Sequence, residues 1–142
     1  MDVAQLRKSV RQAIEGAKKD QAARRVRADA ARLAYERFLE EQATPVFRTV
    51  ANVLKSEGML FDVMTPSGGV RLVPERTRED GIELTLDPTF DPPRVTLTTA
   101  RSRGSRTMRV ERALKDGVSI DTLTDDDVVA ALLDELRPWL ER

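Results

Sequence analysis

The first 44 residues contain no proline and a single glycine, Gly16. They are rich in Ala, Arg, Glu, Gln and Leu, which lose little side-chain freedom in a helix, so one long helix over about 2–42 is the economical reading. Val3, Leu6, Val10, Ile14, Ala17, Ala28, Ala31, Tyr35 and Phe38 recur at helical spacing, and the polar Gln21, Arg24 and Gln42 stand in the same line. The stripe therefore runs along one side of the helix and is weakest in its middle. Some 40 residues at 1.5 Å each rise roughly 60 Å, longer than a domain of this size is wide. Part of the helix must project or find a partner. Residues 28–42, with the large side chains Leu33, Tyr35, Phe38 and Leu39, are expected in the core. Residues 2–20 have no evident partner within the chain. A break at Gly16 would instead turn the segment into a hairpin of two shorter helices.

Thr44-Pro45 reads as an N-cap followed by proline at the first helical position. It opens a second helix over 45–57, with Val46, Phe47, Val50, Val53 and Leu54 as its apolar face and Gly58 as its end. From Met59 the period of the pattern changes from helical to two, which marks strands. Met59, Phe61 and Val63 alternate with Leu60 and Asp62, and Thr65-Pro66-Ser67-Gly68-Gly69 turns the chain into 70–73. Ile82, Leu84 and Leu86 form a third strand that Asp87-Pro88 and Asp91-Pro92-Pro93 stop. Val95-Leu97-Thr99 and Met108-Val110 form a last pair joined near Ser102-Arg103-Gly104-Ser105. Such short connections suit an antiparallel meander, since parallel pairing needs long crossovers. Each strand has one apolar and one polar face, so helices should cover one side only. Thr124 followed by Asp125-Asp126-Asp127 starts a C-terminal helix over 124–140. Its buried stripe is Val128, Leu132, Leu136 and Leu140, and Pro138 should kink or end it.

The fold class expected is thus α+β. A long N-terminal helix and a short helix lead into a five-stranded antiparallel meander over 59–112, covered on one face, with an amphipathic helix at the C-terminus. The expected organisation is one domain over 1–142 with an N-terminal helical extension. At 40% hydrophobic and 34% charged residues the chain is too apolar for disorder and too charged for a membrane protein. No run is long enough to span a bilayer, and MDVAQLRKSV lacks the apolar stretch of a signal peptide, so the expectation is a cytoplasmic protein without membrane association.

The sequence has no cysteine and no histidine. Disulfides, thiolate nucleophiles, Ser-His-Asp and Cys-His sites, His proton relays and zinc clusters built on these residues are excluded. Carboxylate or lysine chemistry survives this test. Three carboxylates at 125–127 suggest a divalent cation, yet consecutive helical residues point about 100° apart, so capping explains them better. The Thr65–Gly69 segment lacks the lysine and following helix of a phosphate loop and reads as a hairpin turn. No cofactor and no metal site is expected.

Net charge is zero, but the signs are segregated. Residues 1–37 hold ten Lys/Arg against five acids, 94–109 hold five arginines and no acid, and 111–142 hold four bases against nine acids. Two interaction surfaces follow. The leading expectation is a non-enzymatic interaction, scaffold or adaptor protein that forms a homo-oligomer, a dimer first of all, or docks a protein partner, through Val3, Leu6, Val10, Ile14 and Ala17. The alternative is a nucleic-acid or other polyanion surface built from the hairpin 101–109 and the basic helix 18–37. It would use Arg24, Arg25, Arg27, Arg32, Arg94, Arg101, Arg103, Arg106 and Arg109, since guanidinium groups match phosphate oxygens. Against it stand the zero net charge and an aromatic content of 4%, which leaves few rings for bases to stack on.

Overall fold

The computed structural model describes residues 1–141. Helix α1 spans Val3–Phe38, passes through a π-helical turn at Leu39–Ala43 and continues as α2, Thr44–Ser56. Five strands follow, β1 Phe61–Met64, β2 Gly69–Pro74, β3 Gly81–Asp87, β4 Arg94–Arg103 and β5 Arg106–Ala113. A short 3-10 turn at Ile120–Thr122 leads to helix α3, Asp125–Leu140. The strands form one antiparallel sheet in the order β1-β2-β3-β4-β5, so the expected α+β meander is the observed fold.

The single long helix is observed through Gly16, since an isolated glycine costs a helix only about 1 kcal/mol against alanine. Two local expectations are corrected. Thr44 is not an N-cap: its backbone is αR, with φ −62° and ψ −47°, and its N–H bonds back to the Leu39 carbonyl. Pro45 has no N–H to give, and its ring crowds the carbonyl four residues earlier. The wider π turn absorbs both problems ahead of the proline, so the helix bends its hydrogen-bond pattern instead of stopping. The apolar stripe shows the same event as a phase slip. Its buried positions step from Phe38 to Ala43, five residues, while Gln42 is only half-buried. Pro138 also sits within a helix, since α3 runs on to Leu140.

One face of the sheet carries the core. Val70, Leu72, Ile82, Leu84, Val95 and Leu97 share that face by register and are buried, and the helices meet them with Phe38, Phe47, Leu54, Leu132 and Leu136. Trp139 of α3 packs edge-on against Phe61 of β1, with ring centroids 6.2 Å apart. Thr99 Oγ1 donates to Glu135 Oε2 at 2.9 Å, and Arg112 lies 3.5 Å from the same carboxylate, so α3 is also pinned across β4 and β5. The other face is mixed: Arg71, Glu83, Thr85 and Thr98 are partly exposed, whereas Val73, Thr96 and Ala100 are buried. Gly81 fits against Val73 there. A Cβ at Gly81 would lie 2.6 Å from the Leu72 carbonyl oxygen, and its φ of +144° is one that other residues rarely adopt.

The start of α3 is capped reciprocally. The Asp127 N–H donates to Thr124 Oγ1 at 3.3 Å, and the Thr124 N–H donates to Asp127 Oδ2 at 3.0 Å. The Thr124 backbone N–H and Lys115 hold the Asp127 carboxyl below its usual range. Two of the three aspartates remain exposed at the positive end of the helix dipole.

Candidate functional site

The long helix divides sharply by environment. Every residue from 1 to 27 is exposed, whereas Ala28, Ala31 and Ala34 are half-buried and Tyr35 and Phe38 are buried. The helix docks at the end of the sheet formed by the β1–β2 turn, the β3–β4 loop and the 3-10 turn. The Tyr35 hydroxyl donates to the Gly68 carbonyl oxygen at 2.6 Å, and burial pushes this phenol well above the usual tyrosine range, with Glu83 adding to the effect. A groove of about 400 Å³ runs beside it between Ala31 and Ala34 of the helix, Pro93 of the β3–β4 loop, and Val118 and Ile120.

One turn further out a single carboxylate ties the helix to the domain. Arg27 grips Asp91 with two bonds, Nε to Oδ1 at 3.0 Å and Nη2 to Oδ2 at 2.8 Å, and Arg24 Nε adds a third at 3.2 Å. The Arg27 bonds, then Arg24, hold the Asp91 carboxyl down to about 2, and the same bond raises Arg27. Ala17, Asp20, Gln21, Arg24, Arg27 and Asp91 line a shallow polar groove of about 480 Å³ at this point. Beyond it every residue of the helix is exposed. Val3, Leu6, Val10 and Ile14 are 63%, 47%, 47% and 49% exposed, and Ala17 is exposed as well. They continue, on the same side of the helix, the line that Ala28, Ala31, Tyr35 and Phe38 follow into the domain. Residues 1–27 carry eight bases and three acids. Arg7, Arg11, Lys18 and Arg25 fall at spacings near whole turns and form a ridge along one flank of the apolar stripe.

The arginines singled out as a polyanion surface fall into two groups that do not meet. Arg24 and Arg27 are committed to Asp91, Arg32 pairs with Glu36 at 3.0 Å, and Arg94 stacks over Phe90 at 3.7 Å, all at the α1 end of the sheet. Arg103 and Arg106 stand opposite one another beside the β4–β5 turn, at the far end of β4. Ten residues of strand at about 3.3 Å each put roughly 30 Å between these ends. The basic helix and the hairpin therefore make no common surface. Within the hairpin, residues 102–110 are all exposed and Arg101 lies over the Trp139 ring at 5.8 Å. Among the described residues Arg103, Arg106 and Arg109 make no ion pair, and the directly opposed Arg103–Arg106 pair costs the hairpin stability.

Sequence reasoning missed Asp91 as an organising residue. With Glu83 and Asp87 it offers an acidic cluster near one strand end, whose spacing matches no calcium loop and whose prolines suit a plain turn; nothing local distinguishes it from Asp87, whose carboxyl instead accepts from the Thr89 hydroxyl and N–H. Among the described residues no three His, Cys, Asp or Glu side chains are grouped to hold a metal ion, and no helix is long and apolar enough to cross a membrane. Compared with protein-family models, curated proteins and solved structures, the chain matches none.

Proposed function

We propose that this chain is a non-enzymatic interaction subunit that associates with a second copy of itself through the free half of α1. The observation that carries the reading is the exposed stripe of Val3, Leu6, Val10 and Ile14, continuous with a stripe the domain buries. A solitary exposed aliphatic residue is ordinary, but four in one helical line on a projecting helix make a surface. Each side chain is already about half exposed, so covering it contributes on the order of 1 kcal/mol. Two copies supply about 8 kcal/mol, against an association cost of roughly 4–15 kcal/mol. The balance suits a concentration-dependent dimer and not a permanent one. Light scattering across a concentration series should show mass rising toward twice the monomer, and L6D/V10D should abolish the rise while keeping the melting temperature of the dilute protein. A wild-type chain that stays monomeric over the whole series ends this proposal.

A second reading rests on the hairpin alone. Arg103, Arg106 and Arg109 are exposed, without acidic partners among the described residues, and held close despite their repulsion, which suits phosphate oxygens of a nucleic acid or another polyanion. Binding to single- and double-stranded DNA should then fall steeply with salt and weaken in R103A/R106A. Absence of binding at low salt removes it.

A further inference from the structure

The exposed stripe is symmetric about Val10. Its members stand at 3, 6, 10, 14 and 17, spaced three, four, four and three residues apart. Run antiparallel against its own copy, the stripe places Val10 on Val10, Leu6 on Ile14 and Val3 on Ala17, every apolar side chain meeting another. The domain adds a steric condition. It covers the same side of the helix from Ala28 to Phe38, so a parallel second copy in register would bring two domains into one space at that level. An antiparallel copy instead carries its own domain to the opposite end of the paired segment, and its Val3 comes level with Ala17, at the edge of the shallow groove beside the Arg24–Asp91–Arg27 cluster.

We infer that the second copy lies antiparallel to α1 about a two-fold axis through Val10, with its Val3 seated on Ala17 at the edge of the groove lined by Asp20, Gln21, Arg24, Arg27 and Asp91. This rests on the self-association proposed above and adds its orientation. A two-fold of this kind brings like flanks together, so the Arg7, Arg11 and Lys18 ridges of the two copies face each other. Screening relieves that repulsion, and association should tighten as salt rises. A parallel pair would instead bring Asp2 to Arg7 and Asp20 to Arg25 across the seam and weaken with salt.

The absence of cysteine makes the orientation directly readable. Single-cysteine chains V10C, L6C and I14C are oxidised with diamide near the dissociation midpoint. V10C should crosslink to itself, L6C alone should not, since two copies of position 6 lie eight residues apart along the axis, and mixed L6C and I14C should yield the heterodimer. Efficient self-crosslinking of L6C, or a wild-type dimer that dissociates as salt is raised, overturns the antiparallel arrangement while leaving self-association standing. A wild-type chain that is monomeric at every concentration and salt overturns the association itself.

Discussion

The two halves of the long helix share composition, helical propensity and one line of apolar spacing, yet they live in different solvents. From Ala28 onward the line carries Tyr35, Phe38, Ala43 and Phe47 into a core of sheet and helix. Before Arg24 the same line carries Val3, Leu6, Val10 and Ile14 into water. What separates them is the reach of the domain, not anything intrinsic to the segments. The sheet end, the β3–β4 loop and the 3-10 turn extend along the helix as far as Asp91 and stop there. An identical pattern therefore builds a core in one place and leaves a surface in the other.

The comparison breaks most readily at Phe47, which is fully buried under the sheet. Phe47→Ala should cost about 3–5 kcal/mol in a denaturant titration, the usual range for emptying a large aromatic site. Tyr35→Phe keeps the ring and removes only the bond to Gly68, so a loss of about 1 kcal/mol is expected. Tyr35 is also the only tyrosine, which makes its ionisation visible by absorbance. The folded protein should titrate above the ordinary tyrosine range and return to it in denaturant.

Asp91→Asn acts at the boundary between the halves and should have a smaller effect with a defined pH dependence. The folded carboxyl is depressed to about 2 from a usual 3.8, so its contribution is present above that usual value and is lost as pH falls through about 2. The melting temperatures of wild type and Asp91→Asn should differ at pH 5 and converge toward pH 2. High salt should narrow the difference at pH 5, because the cluster is exposed. At the bottom of the scale, Leu6→Ala in dilute solution should leave the melting curve unchanged, and its effect should be confined to the dimer. A substantial loss of monomer stability at Leu6 would show that the free half folds back onto the domain.

Most of the architecture was legible. Alternation at Ile82, Leu84 and Leu86 and the glycines and prolines between strands specified a meander, and Thr124 with Asp127 specified the cap of α3. The long helix was legible for length and failed at its joint, because Thr44-Pro45 is a start signal in isolation. The step from Phe38 to Ala43 in the apolar stripe held the corrective information, since a five-residue interval marks a π turn within a continuing helix. The candidate surface was legible in its residues and opaque in its limits. Nothing in the sequence says that Arg24 and Arg27 are spoken for by a carboxylate more than 60 residues away, or that Arg103 and Arg106 lie about 30 Å from them.

By itself, then, the sequence determined the elements, the antiparallel order of the strands and the one side of α1 that seeks apolar contact. These depend on periodicity and on the turn chemistry of neighbouring residues. Only the tertiary structure decided where on that side the contact ends. That limit is set by how far loops from a distant part of the chain reach along the helix, a property of packing that no local spacing encodes.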